Sequence, residues 1–146
     1  MTAILDGTAV LVADDDPDNL EMLAYIMSAE GATVRTASNA CEAMELLPDW
    51  KPDVLLLDIE MPTTDGYELL SAIRNRADLR NVPAVAVTGL GYPTDKDRAF
   101  EAGFDAHMTK PFDGAALVEL IEWLAAPSNR RSTNPRASAS VSRRET

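Results

Sequence analysis

Six residues could do chemistry together: Asp14, Asp15, Asp16, Asp58, Thr88 and Lys110. Each stands at the end of a short apolar run. The aspartate triplet stops the run 8–13, Asp58 closes 53–58, Thr88 follows 82–87 and Lys110 follows 104–109. Carboxylates brought together repel, and one of them keeps its proton unless a cation intervenes. Mg²⁺, or Mn²⁺ in its place, takes such oxygen ligands and leaves room for phosphate oxygens. A carboxylate can serve as a nucleophile, while a lysine, a hydroxyl and a metal neutralise the oxygens of a moving phosphoryl group. The set therefore suits phosphoryl transfer to Asp58. Gly89, beside Thr88, leaves space for the group to reach it. Asp16 has a simpler reading as a helix N-cap, because Pro17 fits the first turn behind it.

These residues need a scaffold that brings distant strand ends to one edge. The run 53–58 is apolar without polar alternation, as expected of a parallel strand covered on both faces. Further strands are expected at 8–13, 32–36, 82–87 and 104–109. Helical spacing places helices at 17–29, from Ser38 or Asn39 to Pro48, and at 66–76, 94–102 and 113–125. Strands alternating with helices predict an α/β, flavodoxin-like (βα)5 doubly wound parallel sheet of order 2-1-3-4-5, in a single domain. In that order the runs ending at Asp14, Asp58, Thr88 and Lys110 are neighbours, and their carboxyl ends share one side.

The composition narrows the class of function. A net charge of −11 over 146 residues argues against a general nucleic-acid binder. One cysteine, Cys41, excludes an internal disulfide framework. No apolar run reaches the roughly 18–20 residues that span a bilayer, and the N-terminus lacks a signal-peptide pattern. A cytoplasmic protein without a transmembrane segment is the expectation. Beyond Pro127, five arginines stand against one glutamate, leaving the preceding residues near −15. The reading is an extension at 1–7, a folded domain at 8–126, and a disordered basic Ser/Arg-rich tail at 127–146.

The motifs Asp14-Asp15, Asp58-Ile-Glu-Met-Pro-Thr-Thr-Asp-Gly66, Thr88-Gly89 and Thr109-Lys110-Pro111-Phe112 resemble those of the receiver domain of two-component response regulators. The resemblance covers about residues 8–125. It implies phosphorelay signal transduction. Asp58 would be the phosphoacceptor for a phosphohistidine on a histidine kinase or histidine phosphotransfer protein. Asp14, Asp15, Asp58 and the Glu60 backbone carbonyl would hold Mg²⁺, and Thr88 and Lys110 would bind the phosphoryl oxygens. The domain would catalyse only its own phosphorylation and dephosphorylation, and would meet an output protein through helix four, strand five and helix five. No DNA-binding domain is expected, and the chain reads as a stand-alone receiver or as one from a hybrid kinase. The family usually has Tyr or Phe three residues before the lysine as a switch coupled to the threonine; here that position is His107. The Glu60 side chain is expected near the phosphoryl site, where it could tune hydrolysis. The rival reading is a phosphohydrolase resembling the haloacid dehalogenases, using Asp14 and Asp16; it leaves Asp58 idle.

Overall fold

Alternate residues of a strand point to opposite faces of a sheet, so a strand apolar at every position must be covered twice. The computed structural model, which describes residues 3–89, 95–110, 113–126 and 141–143, shows that arrangement. Its elements run β1 (Ala9–Ala13), α1 (Pro17–Ala29), β2 (Thr33–Ala37), α2 (Ala40–Leu46), β3 (Val54–Asp58), α3 (Gly66–Arg74), β4 (Ala84–Thr88), α4 (Asp95–Ala102), β5 (Ala106–Thr109), α5 (Gly114–Ala125) and β6 (Val141–Arg143). A one-turn 3₁₀ helix at Ala77–Leu79 precedes β4. All of β3 and β4 is buried. Leu55 and Leu57 join Ala84 and Ala86 in a core with Leu69, Leu70 and Ile73 of α3 and with Phe104. Val54, Leu56, Val85 and Val87 enter a second core with Leu23 and Met27 of α1 and with Leu117, Leu120 and Ile121 of α5.

The sheet order is β2-β1-β3-β4-β5-β6, and the first five strands are parallel, in the flavodoxin-like order expected. Register sets what meets at the carboxyl edge. Ala13 pairs with Leu57, Asp58 with Val87, and Thr88 with Thr109. Asp14 therefore lies level with Asp58, while Thr88 and Lys110 follow on the next two strands.

Helix starts agree with the local chemistry. Asp16 caps α1 by accepting the Asp18 N–H, with Pro17 in the first turn. Asn39, rather than Ser38, caps α2, and Ser38 instead donates its N–H and hydroxyl to Glu42. Asp65 and Glu68 form a reciprocal capping box at α3.

Two segments depart from expectation at the ends of the chain. Leu5, placed by the sequence in an extension, is fully buried in the second core, and its N–H donates to the Glu30 carbonyl. Val141–Arg143, expected within a disordered tail, instead pairs antiparallel with β5 in the register Met108↔Val141 to Ala106↔Arg143. Free strand edges present unpaired backbone groups, and even three tail residues can satisfy some of them. The rest of the tail, together with Leu90–Thr94 and the Pro111-Phe112 pair, lies outside the described residues. Among the described residues no helix is long and apolar enough to cross a membrane.

Gly66 fixes the distance between α3 and the end of β3. A Cβ there would stand 2.6 Å from the Asp58 carbonyl oxygen and 2.8 Å from the Ile59 Cα, both backbone atoms that cannot step aside cheaply. Gly66→Ala should destabilise the domain by about 2 kcal/mol or more, as expected of overpacking against backbone. Urea unfolding monitored by circular dichroism checks this.

Candidate functional site

The site is built from strand ends. Asp14 and Asp58 are almost fully buried, at 1% and 4% exposure, whereas Asp15 is exposed. Oxygens of Asp14, Asp15 and Asp58 all lie within 4.8 Å of one another. Asp16 is not in this cluster, since its carboxylate is spent on the α1 cap. That removes the Asp14/Asp16 pair from which the phosphohydrolase reading started.

Lys110 crosses from the end of β5 to both buried carboxylates. Its Nζ stands 3.1 Å from Asp14 Oδ2 and 3.4 Å from Asp58 Oδ2. The other Asp58 oxygen, Oδ1, accepts the Glu60 N–H at 3.0 Å. Asp14 Oδ1 accepts the Asp16 N–H, and Asn19 Nδ2 reaches Asp14 Oδ2 at 3.4 Å. Burial and the neighbouring Asp14 push the Asp58 carboxyl up to about 7, against the opposing pull of the Glu60 N–H and Lys110. Burial works against the charge of Lys110, but Asp58 and Asp14 outweigh it and hold the ammonium above its ordinary value. One ammonium thus leaves the pair of carboxylates under-neutralised. Three hard oxygen ligands converging without nitrogen or sulfur fit Mg²⁺ or Mn²⁺.

On the other side of Asp58, Thr88 is buried, and a 2.9 Å hydrogen bond links its Oγ1 to His107 Nε2. The register explains the contact. His107 pairs with Ala86, two residues before Thr88, so the two side chains sit on one face as diagonal neighbours across β4 and β5. His107 is only 6% exposed, so it is a core residue joined to the site and not a surface histidine of a strand. The Glu60 side chain is exposed, and its Oε1 accepts the Gly89 N–H at 3.2 Å.

The loop between Asp58 and α3 is tightly held. The Gly66 N–H donates to the Ile59 carbonyl, and the Ile59 N–H donates to the Val87 carbonyl. Within it Thr63 has φ 70°, a left-handed conformation that costs a β-branched residue energy. Sequence reasoning also missed Arg74. From the end of α3 it donates to the carbonyls of Leu79, Val82 and Gly103 and pairs with Asp105 at 3.6 Å, tying together the segments that lead into β4 and β5. A lone arginine at a helix end carries no signal for such a role.

The raised Asp58 carboxyl has a stability consequence. The folded state holds this proton more tightly than the unfolded chain, whose carboxyl titrates near the ordinary 3.8. Stability from this group is therefore fully present below about pH 4, falls as pH rises, and is lost above about 7. Without divalent ions, Asp58→Asn should be more stable than the parent at pH 8, by on the order of 2 kcal/mol, with the gap closing toward pH 4. Mg²⁺ should stabilise the parent at pH 8 and leave Asp58→Asn nearly unchanged. Thermal melts with and without a chelator measure both effects.

Comparison with known proteins places this geometry in a family. The model of the response regulator receiver domain matches residues 10–122. The chain is 38% identical over 113 residues to the "uncharacterized 14.6 kDa protein in sodA1 3'region" of Leptolyngbya boryana, covering 77% of this chain and 86% of that one. It is 30% identical to the polar-differentiation response regulator DivK of Brucella anthropi, covering 78% and 93% of the two chains. Among solved structures, a putative response regulator from Chloroflexus aurantiacus superposes with a TM-score of 0.78 at 31% identity, covering 82% of this chain and 98% of that one. With this match across the strands that carry the acidic cluster, the chain belongs to the response regulator receiver domain family.

Proposed function

We propose that Asp58 is the phosphoacceptor of a phosphorelay, taking a phosphoryl group from a phosphohistidine on a histidine kinase or phosphotransfer protein. The observation that carries this is a buried Asp58 with Lys110 on one oxygen, the Glu60 N–H on the other, and Asp14 and Asp15 alongside. In the transfer, an Asp58 oxygen forms a bond to phosphorus, the bond from phosphorus to the imidazole nitrogen breaks, and the electron pair leaves with the imidazole. Asp14, Asp15, Asp58 and the Glu60 backbone carbonyl would hold the divalent ion, which neutralises negative charge on the phosphoryl oxygens when bound. Lys110 offsets the same charge from the β5 side, and Thr88 turns its hydroxyl toward it.

That turn is the source of a signal. Thr88 Oγ1 is engaged with His107, so a phosphoryl group competes with the histidine for the same hydroxyl. Phosphorylation then favours a different arrangement of Thr88 and His107, a population shift between two packings. His107 lies in β5, and the surface of α4, β5 and α5 is where an output protein would sense the change. Part of the β5 edge is taken by Val141–Arg143, so a partner using that edge has to displace the tail strand.

Acetyl phosphate with Mg²⁺, followed by intact-mass measurement, should show one added phosphoryl group in the parent and none in Asp58→Asn. Equal labelling of the two chains, or none in either, would sink the proposal. His107→Ala should take up the phosphoryl group yet weaken phosphorylation-dependent binding of the output partner. Unchanged affinity in a pull-down titration would remove His107 from the switch.

A further inference from the structure

Glu60 touches both sides of the site. Its backbone N–H donates to Asp58 Oδ1, and its side-chain Oε1 accepts the N–H of Gly89 at 3.2 Å. The approach is close: a Cβ built on Gly89 would also lie 3.2 Å from that oxygen. Gly89 directly follows Thr88, and the pairing of Asp58 with Val87 puts its N–H on the rim of the acidic site. An N–H at that place suits an anion, and in the unmodified chain the anion it meets is the Glu60 carboxylate. The same carboxylate adds a negative charge to a rim that already holds Asp14, Asp15 and Asp58 around Lys110.

We propose that Glu60 is an internal anion that occupies the Gly89 N–H while Asp58 is unmodified and must be expelled when a phosphoryl group arrives. This rests on Asp58 being the phosphoacceptor. The consequence is a latch at Gly89, the residue after β4. With Glu60 in place, Gly89 is tied to the residue two beyond the end of β3. With a phosphoryl group on Asp58, the Gly89 N–H transfers to a phosphoryl oxygen and the Glu60 side chain swings to solvent, which its exposed position allows. Exchanging one anion for another makes the phosphorylated state less favourable than it would be with a neutral residue at position 60. Glu60 is a positioning residue here, because it acts through Gly89 and not on the reacting atoms.

Beryllofluoride tests this without hydrolysis, since it mimics a phosphoryl group and binds at equilibrium. Its affinity would be measured at saturating Mg²⁺ for the parent, Glu60→Gln and Glu60→Ala, with the Gly89 amide followed by NMR. Glu60→Gln keeps a hydrogen-bond acceptor and removes the charge; Glu60→Ala removes both. Both variants should bind beryllofluoride about three- to tenfold more tightly, the worth of a partly solvated charge-assisted hydrogen bond. The larger gain should come from Glu60→Ala. The Gly89 amide should shift in Glu60→Ala before any ligand is added. Equal affinities in all three chains, or an unmoved Gly89 amide in Glu60→Ala, would overturn the latch. If the parent and both variants ignore beryllofluoride, the phosphoacceptor reading falls and the latch with it. Binding abolished by Asp58→Asn but indifferent to residue 60 removes the latch alone.

Discussion

Two buried carboxylates share one ammonium at the carboxyl edge of the sheet, and the surrounding structure is arranged around that conflict. Asp14 and Asp58 sit level on adjacent parallel strands because Ala13 pairs with Leu57. Desolvating both would cost several kcal/mol without compensation. Lys110 and nearby N–H groups supply part of the compensation. The remaining negative charge is of the kind a hard divalent ion would offset, and burial together with Asp14 raises the Asp58 carboxyl to about 7. Stability is given up locally to keep two carboxylates buried side by side.

The scaffold tolerates this because its cohesion comes from elsewhere. Both faces of the sheet are packed, with Leu and Val from alternate positions of one strand entering separate cores. The polar edge therefore carries little of the packing. Gly66 and the Asp65–Glu68 capping box bring α3 against the end of β3, so the loop after Asp58 has a set path. Arg74 does comparable work farther off, joining three carbonyls that no hydrophobic contact could satisfy.

Two hydrogen bonds on the β4 side join the site to its neighbouring strands. Thr88 with His107 points toward β5, and Gly89 with Glu60 ties β4 back to β3. In the proposed function, a phosphoryl group on Asp58 would compete for the Thr88 hydroxyl in one and for the Gly89 N–H in the other. Competition of that kind would become a conformational signal, because packed strands move between discrete arrangements instead of bending continuously. The histidine adds a consequence that an unsubstituted aromatic ring lacks. Its ring nitrogen makes a directional bond to the threonine, so the two side chains must rearrange together.

The amino-acid sequence by itself determined the alternation of strands and helices, the burial of the central strand, and which strand ends carry acid, hydroxyl and amine. Apolar runs, caps such as Asp16-Pro17 and stops such as Gly31 and Gly103, which follow α1 and α4 at positive φ, are local, and local chemistry is legible in order. Asp14, Asp15, Asp58 and Lys110 could be grouped because a parallel sheet sends all its strand ends to one side. Tertiary structure alone decided how these groups divide. It joined Asp14 to the lysine, buried Leu5 within the second core, and put Val141–Arg143 on the β5 edge. It also decided that His107 faces Thr88 and that Glu60 reaches Gly89. Those contacts depend on register between strands far apart in the chain, and a one-residue slip would send each side chain to the other face. Periodicity states that a strand exists, but only packing against its neighbours sets that register.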